Sequence, residues 1–292
     1  MVAILIALVF AAPSTSPHER AGLPTAVGSY LGVYQTGVPL SYAGVTAFAA
    51  TTGVRPNIDL YYSGWYESFQ VTFARQAADH HAVPLVQINP VNVSVASIAA
   101  GKYDTYLSAY AAAVRSYRHP VILSFGHEMN GWWSTWGHRH TSPAVFVAAW
   151  RHIVTLFRAL GARNATWLWT VNVIDRRGGI AAPAPWWPGN SYVDWIGIDG
   201  YYYKPFWTFA PLFGPTIKAV RALTRDPILL AETGATPVAG KPAKIADLFA
   251  GIRSYGLLGF VWFDARRWRI DTPAAAAAFR RGAKANQQLA DP

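Results

Sequence analysis

Glutamate is scarce in this chain: there are four, Glu19, Glu67, Glu128 and Glu232, and two of them lie at the ends of otherwise apolar runs. Glu128 closes PVILSFGHE (120–128), and Glu232 falls within PILLAETGA (227–235). A carboxyl group at the mouth of an apolar strand loses hydration, which penalises its charged form unless donors compensate. Two such groups facing each other can take unlike roles, one keeping a proton to give away while the other stays ionised. Cleavage of a glycosidic bond uses a pair of this kind, one carboxyl protonating the leaving oxygen while the other attacks the anomeric carbon. A strand-end Glu can equally pair with an arginine or cap a helix. Two together, among clustered aromatics, favour chemistry.

The aromatics point the same way. Trp132, Trp133 and Trp136 follow Glu128 within eight residues, and Trp65, Trp262 and the run Tyr201–Tyr203 fall at or just beyond the ends of apolar runs. A sugar ring has an apolar C–H face and a hydroxyl edge, so an indole plane can cover one while polar groups fix the other. Plain packing is the rival for any one of them. Trp167 and Trp169 differ: they share one alternation face inside ATWLWTVN (165–172) and read as core. A metal site could be imagined from His127, His138 and His140 beside Glu128, but His138 and His140 sit in a loop without helical pairing. With no cysteine, disulfides, thiol catalysis and thiolate metal sites are excluded. No metal and no organic cofactor is expected.

Rigid elements must hold these residues. Eight runs rich in β-branched and aromatic residues, bounded by Gly, Pro, Asn or Asp, read as strands: 28–35, 57–65, 83–90, 120–128, 165–172, 193–202, 227–235 and 257–265. Helical spacing occupies 69–81, 103–118, 143–160, 215–225 and 242–256. Ser142 can cap the third of these, Pro143 suits its first position, and Gly161 suits its end. Continuous apolar strands alternating with helices imply a parallel sheet covered on both faces. No G-x-G-x-x-G loop follows the first strand, which disfavours a doubly wound open sheet. The expectation is a single-domain α/β protein, a (β/α)8 TIM barrel. Glu128 and Glu232 would then sit at the C-terminal ends of the fourth and seventh strands, nearly opposite each other.

The net charge is +10, but no Lys/Arg run exceeds two residues, which argues against a nucleic-acid arm. A generally basic surface favours anionic surroundings such as cell-envelope polymers. The apolar run Val2–Ala12 is too short to span a bilayer and fits the core of a signal peptide, although no positive residues precede it. Residues 1–16 are expected to be a leader or apolar N-terminal segment, and 17–292 the catalytic barrel of a monomeric protein, secreted or associated with the envelope.

GHEMNGWWSTWG (126–137) resembles the acid/base motif of glycoside hydrolase family 26, where a His-Glu-Met-Asn-Gly core precedes aromatics. PWWPGNSYVDWIGIDGYY (185–202) is similar to that family's approach to its sixth strand, and LLAETGA (229–235) to its nucleophile strand. QINP and AAGKYDTYLSAYA (99–111) extend the likeness back to the third strand, while residues 1–56 add little. The resemblance implies a (β/α)8 barrel and a retaining double displacement, with Glu128 as acid/base and Glu232 as nucleophile. It places His127 beside the acid/base, Tyr201 in a hydrogen bond to the nucleophile, and Trp262 as the platform beneath the cleaved sugar. Asp199 and Asn130 become candidates for sugar-hydroxyl or supporting contacts. The substrate implied is a β-linked poly- or oligosaccharide, β-1,4-mannan first, with mixed-linkage glucan and β-1,3-xylan as alternatives. One position departs from the pattern: the family commonly carries Arg four residues before the acid/base, and here Ser124 stands there. A missing cation would raise the nucleophile's pKa unless another group substitutes. That leaves a non-catalytic carbohydrate-binding barrel, or an accessory of polysaccharide synthesis or export, as the rivals.

Overall fold

Each of the eight apolar runs is a strand in the computed structural model, which describes residues 22–175 and 177–287. They are β1 Tyr30–Gln35, β2 Ile58–Gly64, β3 Val83–Asn89, β4 Val121–Phe125, β5 Ala165–Asn172, β6 Trp195–Tyr202, β7 Ile228–Ala235 and β8 Gly259–Asp264. Each pairs in parallel with its sequence neighbour, and β8 closes on β1, so the sheet is a closed barrel. Parallel neighbours require crossovers, which the helices supply: α1 Ala43–Thr52, α2 Val71–Asp79, α3 Val95–Ala99, α4 Asp104–Tyr117, α5 Pro143–Ala159, α6 Phe209–Arg221, α7 Lys241–Ser254 and α8 Pro273–Gln287. The β5–β6 connection instead carries short 3-10 turns at Ala184–Trp186 and Asn190–Tyr192. The apolar segment 1–16 and Glu19 lie outside the described residues. No described helix is long and apolar enough to cross a membrane.

Strand alternation divides the core into two layers. Tyr30, Ile58, Leu60, Leu85, Ile122, Leu168, Trp195, Leu229 and Val261 fill the barrel interior. The intervening strand residues face the helices: Trp167 packs edge-on against Trp150 and Phe157 of α5. Burying one such aromatic stabilises the fold by about 1.5–3 kcal/mol. At the start of α5, Ser142 accepts a hydrogen bond from the Val145 N–H and Pro143 takes the first helical position. Gly161 follows the helix with φ 76°, a conformation a Cβ would disfavour.

Helices α1, α3, α6 and α8 depart from the sequence pattern. The helix expected over 215–225 begins at Phe209, with Pro215 inside it. Its first N–H is capped from another helix, by Asp247 Oδ2 of α7 at 2.7 Å, a signal invisible in local sequence. Helix α1, AGVTAFAATT, mixes small, apolar and hydroxyl side chains around its whole surface, and α8 opens with an alanine tract. In α1 no periodic apolar stripe is there to read, and in α8 the buried face is made mostly of alanine.

Candidate active site

Strand β4 ends at Phe125, so Glu128 stands in a turn beyond it rather than on it. Gly126 has φ 55° and Glu128 φ 57°, the left-handed region that a residue with a side chain adopts only under constraint. The constraint is explicit. The Glu128 N–H donates to Thr170 O, the Glu128 carbonyl accepts from Gly131 N–H, and Trp136 Nε1 donates to His127 O at 2.8 Å. A Cβ on Gly126 would come within 2.9 Å of Phe146 and 3.1 Å of Trp136, so only glycine lets the chain turn there. The carboxylate is held at both oxygens. Asn172 Nδ2 donates to Oε1, and Trp133 Nε1 donates to Oε2 at 2.8 Å. Asn130 orients Asn172 by accepting from its N–H at 2.8 Å and donating to its carbonyl at 2.9 Å.

Glu232 reaches the same space by a different device. Strict alternation from Leu229 and Ala231, both interior, would turn Glu232 toward the helices. Between Gly197/Leu229 and Asp199/Glu232 the β6–β7 register gains one residue on β7, and this bulge swings Glu232 inward. Two phenols address it: Tyr62 on β2 donates to Oε1, and Tyr201 on β6 donates to Oε2 at 2.7 Å.

Burial raises the pKa of both carboxyls. Glu128 also feels the Glu232 charge and is pushed up to about 8, against the opposing bonds from Asn172 and Trp133. For Glu232 the two tyrosine hydroxyls oppose the rise. The pair therefore keeps its proton on Glu128. Burial, with both glutamates' charges, also holds Asp199 well above the carboxylate range. Its carboxyl is fully buried beside the pair, and no side chain donates to it. His127 is pulled down to about 4 by burial and is neutral near pH 7. Its Nδ1–H donates to Asn89 Oδ1 at 2.9 Å, which leaves Nε2 as a bare acceptor.

The three histidines that sequence alone could group around a metal do not converge. His140 donates to the Trp132 carbonyl, and His138 packs edge-on against Trp186. His127, Glu128 and Asp199 do bring potential ligand atoms within 4.8 Å of one another. Both Glu128 oxygens, however, already accept from N–H donors.

Around the pair lies a cleft of about 930 Å³, lined by Tyr34, Tyr62, His127, Glu128, Trp133, Asn172, Tyr201, Tyr203, Trp207, Glu232, Phe263, Arg266 and Trp268, among others. Among the expected sugar-binding residues, His127, Trp133 and Tyr201 line it and the rest do not. Trp262 is fully buried against Phe279 of α8, its Nε1 donating to Trp268 O. Val261 faces the interior, so period-two alternation turns Trp262 outward and gives the cleft to Phe263. Trp65 is core, packed on Tyr103, Tyr106 and Phe125. Trp136 is buried behind the Glu128 turn, and Asn130 and Asp199 are wholly buried. Trp132 is exposed, braced edge-on to Trp133 with its Nε1 on Gly178 O. Tyr62, Asn172, Phe263 and Trp268 carry no such signal in the sequence. Tyrosine or asparagine in an apolar strand has no local mark of its role.

The fold and the site are those of a (β/α)8 barrel carrying an unlike carboxyl pair at the C-terminal mouth of its strands. The chain belongs to glycosyl hydrolase family 26, whose model matches residues 59–225. It is 28% identical over 278 residues to Endoglucanase H of Acetivibrio thermocellus, covering 86% of this chain and 31% of that protein. The chain thus spans about a third of the length of that relative. Its fold is similar to a Bacillus subtilis mannanase (TM-score 0.65, 17% identity, 88% of this chain and 85% of that one). It is also similar to a Bacteroides ovatus β-mannanase (0.62, 16%, 90% and 90%) and to a modular endo-β-1,4-mannanase of Cellulomonas fimi (0.66, 16%, 91% and 72%).

Proposed function

We propose that the chain is a retaining endo-β-glycanase, cutting β-1,4-mannan first among substrates, with Glu128 as acid/base and Glu232 as nucleophile. The observation that carries this reading is the unequal pair: a carboxyl that retains its proton faces one addressed by two hydroxyl donors. Ionised Glu232 attacks the anomeric carbon while Glu128 gives its proton to the departing glycosidic oxygen, and a glycosyl ester to Glu232 forms. Glu128, now ionised, takes a proton from water. That water attacks the anomeric carbon, and the ester breaks with Glu232 as leaving group. His127 Nε2 accepts from a sugar hydroxyl, and Trp133 both walls the cleft and holds Glu128. A β-glucan is the second reading, favoured by the 28% identity to Endoglucanase H. The apolar run Val2–Ala12 supports action outside the cytoplasm, testable by fractionating cells that express the chain with and without it.

A reducing-sugar screen over β-mannan, mixed-linkage glucan and β-1,3-xylan tests the function, with proton NMR on the first product formed. The β anomer is expected before mutarotation. An α anomer would overturn the retaining mechanism, and no release from any polymer despite intact binding would favour a binding barrel.

A further inference from the structure

One wall of the cleft carries charge that the chemistry above does not use. After β8 the chain reads ARRWR (265–269), and Arg266–Trp268 form a 3-10 turn. Arg266 has φ 51°, a left-handed backbone at a residue with a long side chain, and it lines the cleft together with Tyr34, Phe263 and Trp268. Burial and the Glu232 charge raise the pKa of the Tyr34 hydroxyl, and the Arg266 charge lies near enough to oppose them in part. Arg267 lies over the Trp268 ring at 5.2 Å, and its charge likewise acts on Tyr203, another cleft residue. Among the described residues neither guanidinium has a carboxylate partner. Glu232 is held by Tyr62 and Tyr201, so neither arginine is needed to hold the nucleophile. The other cleft acid, Asp175, accepts from the N–H groups of Arg177 and Gly178 through Oδ1.

A neutral sugar needs hydrogen-bond partners, and hydroxyls or amides supply them without an uncompensated charge. A guanidinium beside an aromatic ring is instead suited to pair with a carboxylate, through two parallel N–H···O bonds. Of the two arginines Arg266 alone lines the cleft, which suits one planar monoanion. Resting on the glycanase reading of the cleft, we propose that the preferred substrate is an acidic β-glycan. Arg266 holds the carboxylate of a uronic-acid residue beside the cleavage point, and the Arg267–Trp268 pair lies under that sugar.

A matched pair of polymers tests this: whichever of the hexose polymers, β-mannan or mixed-linkage glucan, is cleaved faster, and the same polymer with part of its C6 alcohols oxidised to carboxylates. At low ionic strength the wild-type kcat/KM is expected to favour the oxidised polymer roughly 10-fold or more, the scale of one charge-assisted pair. The ratio should fall as salt screens the charges. Arg266→Gln should bring the ratio near one, and Arg266→Lys should retain only part of it, with melting temperatures confirming that both variants fold. Equal or better cleavage of the neutral polymer by the wild type, or a ratio unmoved in Arg266→Gln, overturns the proposal. Affinity electrophoresis of Glu128→Gln and Glu128→Gln/Arg266→Gln on both polymers separates the two readings. If nothing is cleaved yet Glu128→Gln prefers the oxidised polymer through Arg266, the arginine proposal stands and the glycanase reading falls. Cleavage of the neutral polymer with no preference in either assay gives the reverse.

Discussion

The mouths of β4 and β7 each present a buried carboxyl, built by opposite means. At β4 the chain has left the sheet, and Glu128 sits on a left-handed backbone fixed by Thr170, Gly131 and Trp136. At β7 the strand continues, and a one-residue bulge turns Glu232 inward. The donors differ too: an amide and an indole N–H hold Glu128, whereas two phenol O–H groups hold Glu232. Hydroxyl–carboxylate bonds are short and strong, so they favour ionisation at the group they address. Glu232 in turn raises the pKa of Glu128. Burial alone would treat the two alike; the identity of the donors separates them.

The largest effect expected follows from deleting either group. Glu232→Ala should abolish hydrolysis of every substrate, by roughly 10⁴-fold or more, because no covalent intermediate forms. Glu128→Ala should lose about 10²–10⁴-fold on polysaccharide, the usual range for general acid catalysis. On a dinitrophenyl glycoside, whose leaving group departs without a proton, Glu128→Ala should retain formation of the intermediate, seen as a burst of phenolate. Equal losses for both variants on both substrates would erase the distinction between the two mouths.

Removing the donors shifts the pH profile instead. Tyr201→Phe or Tyr62→Phe takes a bond from ionised Glu232, so its pKa rises and the acidic limb of kcat/KM moves to higher pH. The loss near neutrality should be roughly 10–100-fold for each, in line with a hydrogen bond to a charged group. A profile unchanged in shape would mean that the phenols serve only packing. The converse coupling is read in Glu232→Gln. Without the neighbouring charge the Glu128 pKa should fall from about 8, visible in a carbon-13 titration of its carboxyl. An unchanged Glu128 would show that burial alone raises it.

Much of this contrast is legible in the sequence. Scarce glutamates at the ends of apolar runs mark both mouths, and the strand pattern places them on one face of a barrel. Alternation also assigns Trp167 and Trp169 to the core. Applied to β8, the same rule turns Trp262 outward, since Val261 and Phe263 share the opposite face; the aromatic that the family resemblance names is buried, and Phe263 lines the cleft. Other features are not legible at all. The bulge that aims Glu232 leaves no mark in LLAETGA, and Tyr62 reads as one more aromatic in IDLYYSG until the closed ring brings β2 opposite β7. Long-range partners such as Asn172 for Glu128 exist only once β4 and β5 are paired.

Asp199 supplies a smaller test, on stability. Its folded-state pKa lies well above that of an unfolded aspartate, near 3.9. The folded state therefore holds a proton that the unfolded state releases as pH rises. The stability this proton contributes is complete below about pH 4 and is lost progressively up to the folded pKa. Asp199→Asn keeps the shape and drops the titration, so its melting temperature relative to wild type should climb between pH 5 and pH 8. About 2–4 °C is expected for each kcal/mol of difference. A constant offset across that range would mean that Asp199 ionises as easily folded as unfolded.

The smallest effect is expected at Ser124, where the chain leaves the pattern of its family. A cation there would be placed to support the nucleophile, yet Ser124 belongs to the Glu128 side of the site. Its Oγ lies 3.0 Å from Thr170 Oγ1, both groups fully buried, and the Thr170 carbonyl accepts from the Glu128 N–H. A Cβ on neighbouring Gly197 would come within 2.4 Å of Thr170 Oγ1, so this layer is already closely packed. Glu232 meanwhile has its own donors in Tyr62 and Tyr201. Ser124→Ala removes a buried hydrogen bond and leaves Thr170 without that partner, a cost of about 1–3 kcal/mol in stability. Its kcat/KM should stay within roughly 3-fold of wild type, with the acidic limb of the profile unmoved, because under 1 kcal/mol of transition-state energy is involved. A displaced acidic limb in Ser124→Ala would tie position 124 to the nucleophile after all. The tyrosines would then no longer suffice to explain why Glu232, and not Glu128, gives up the proton.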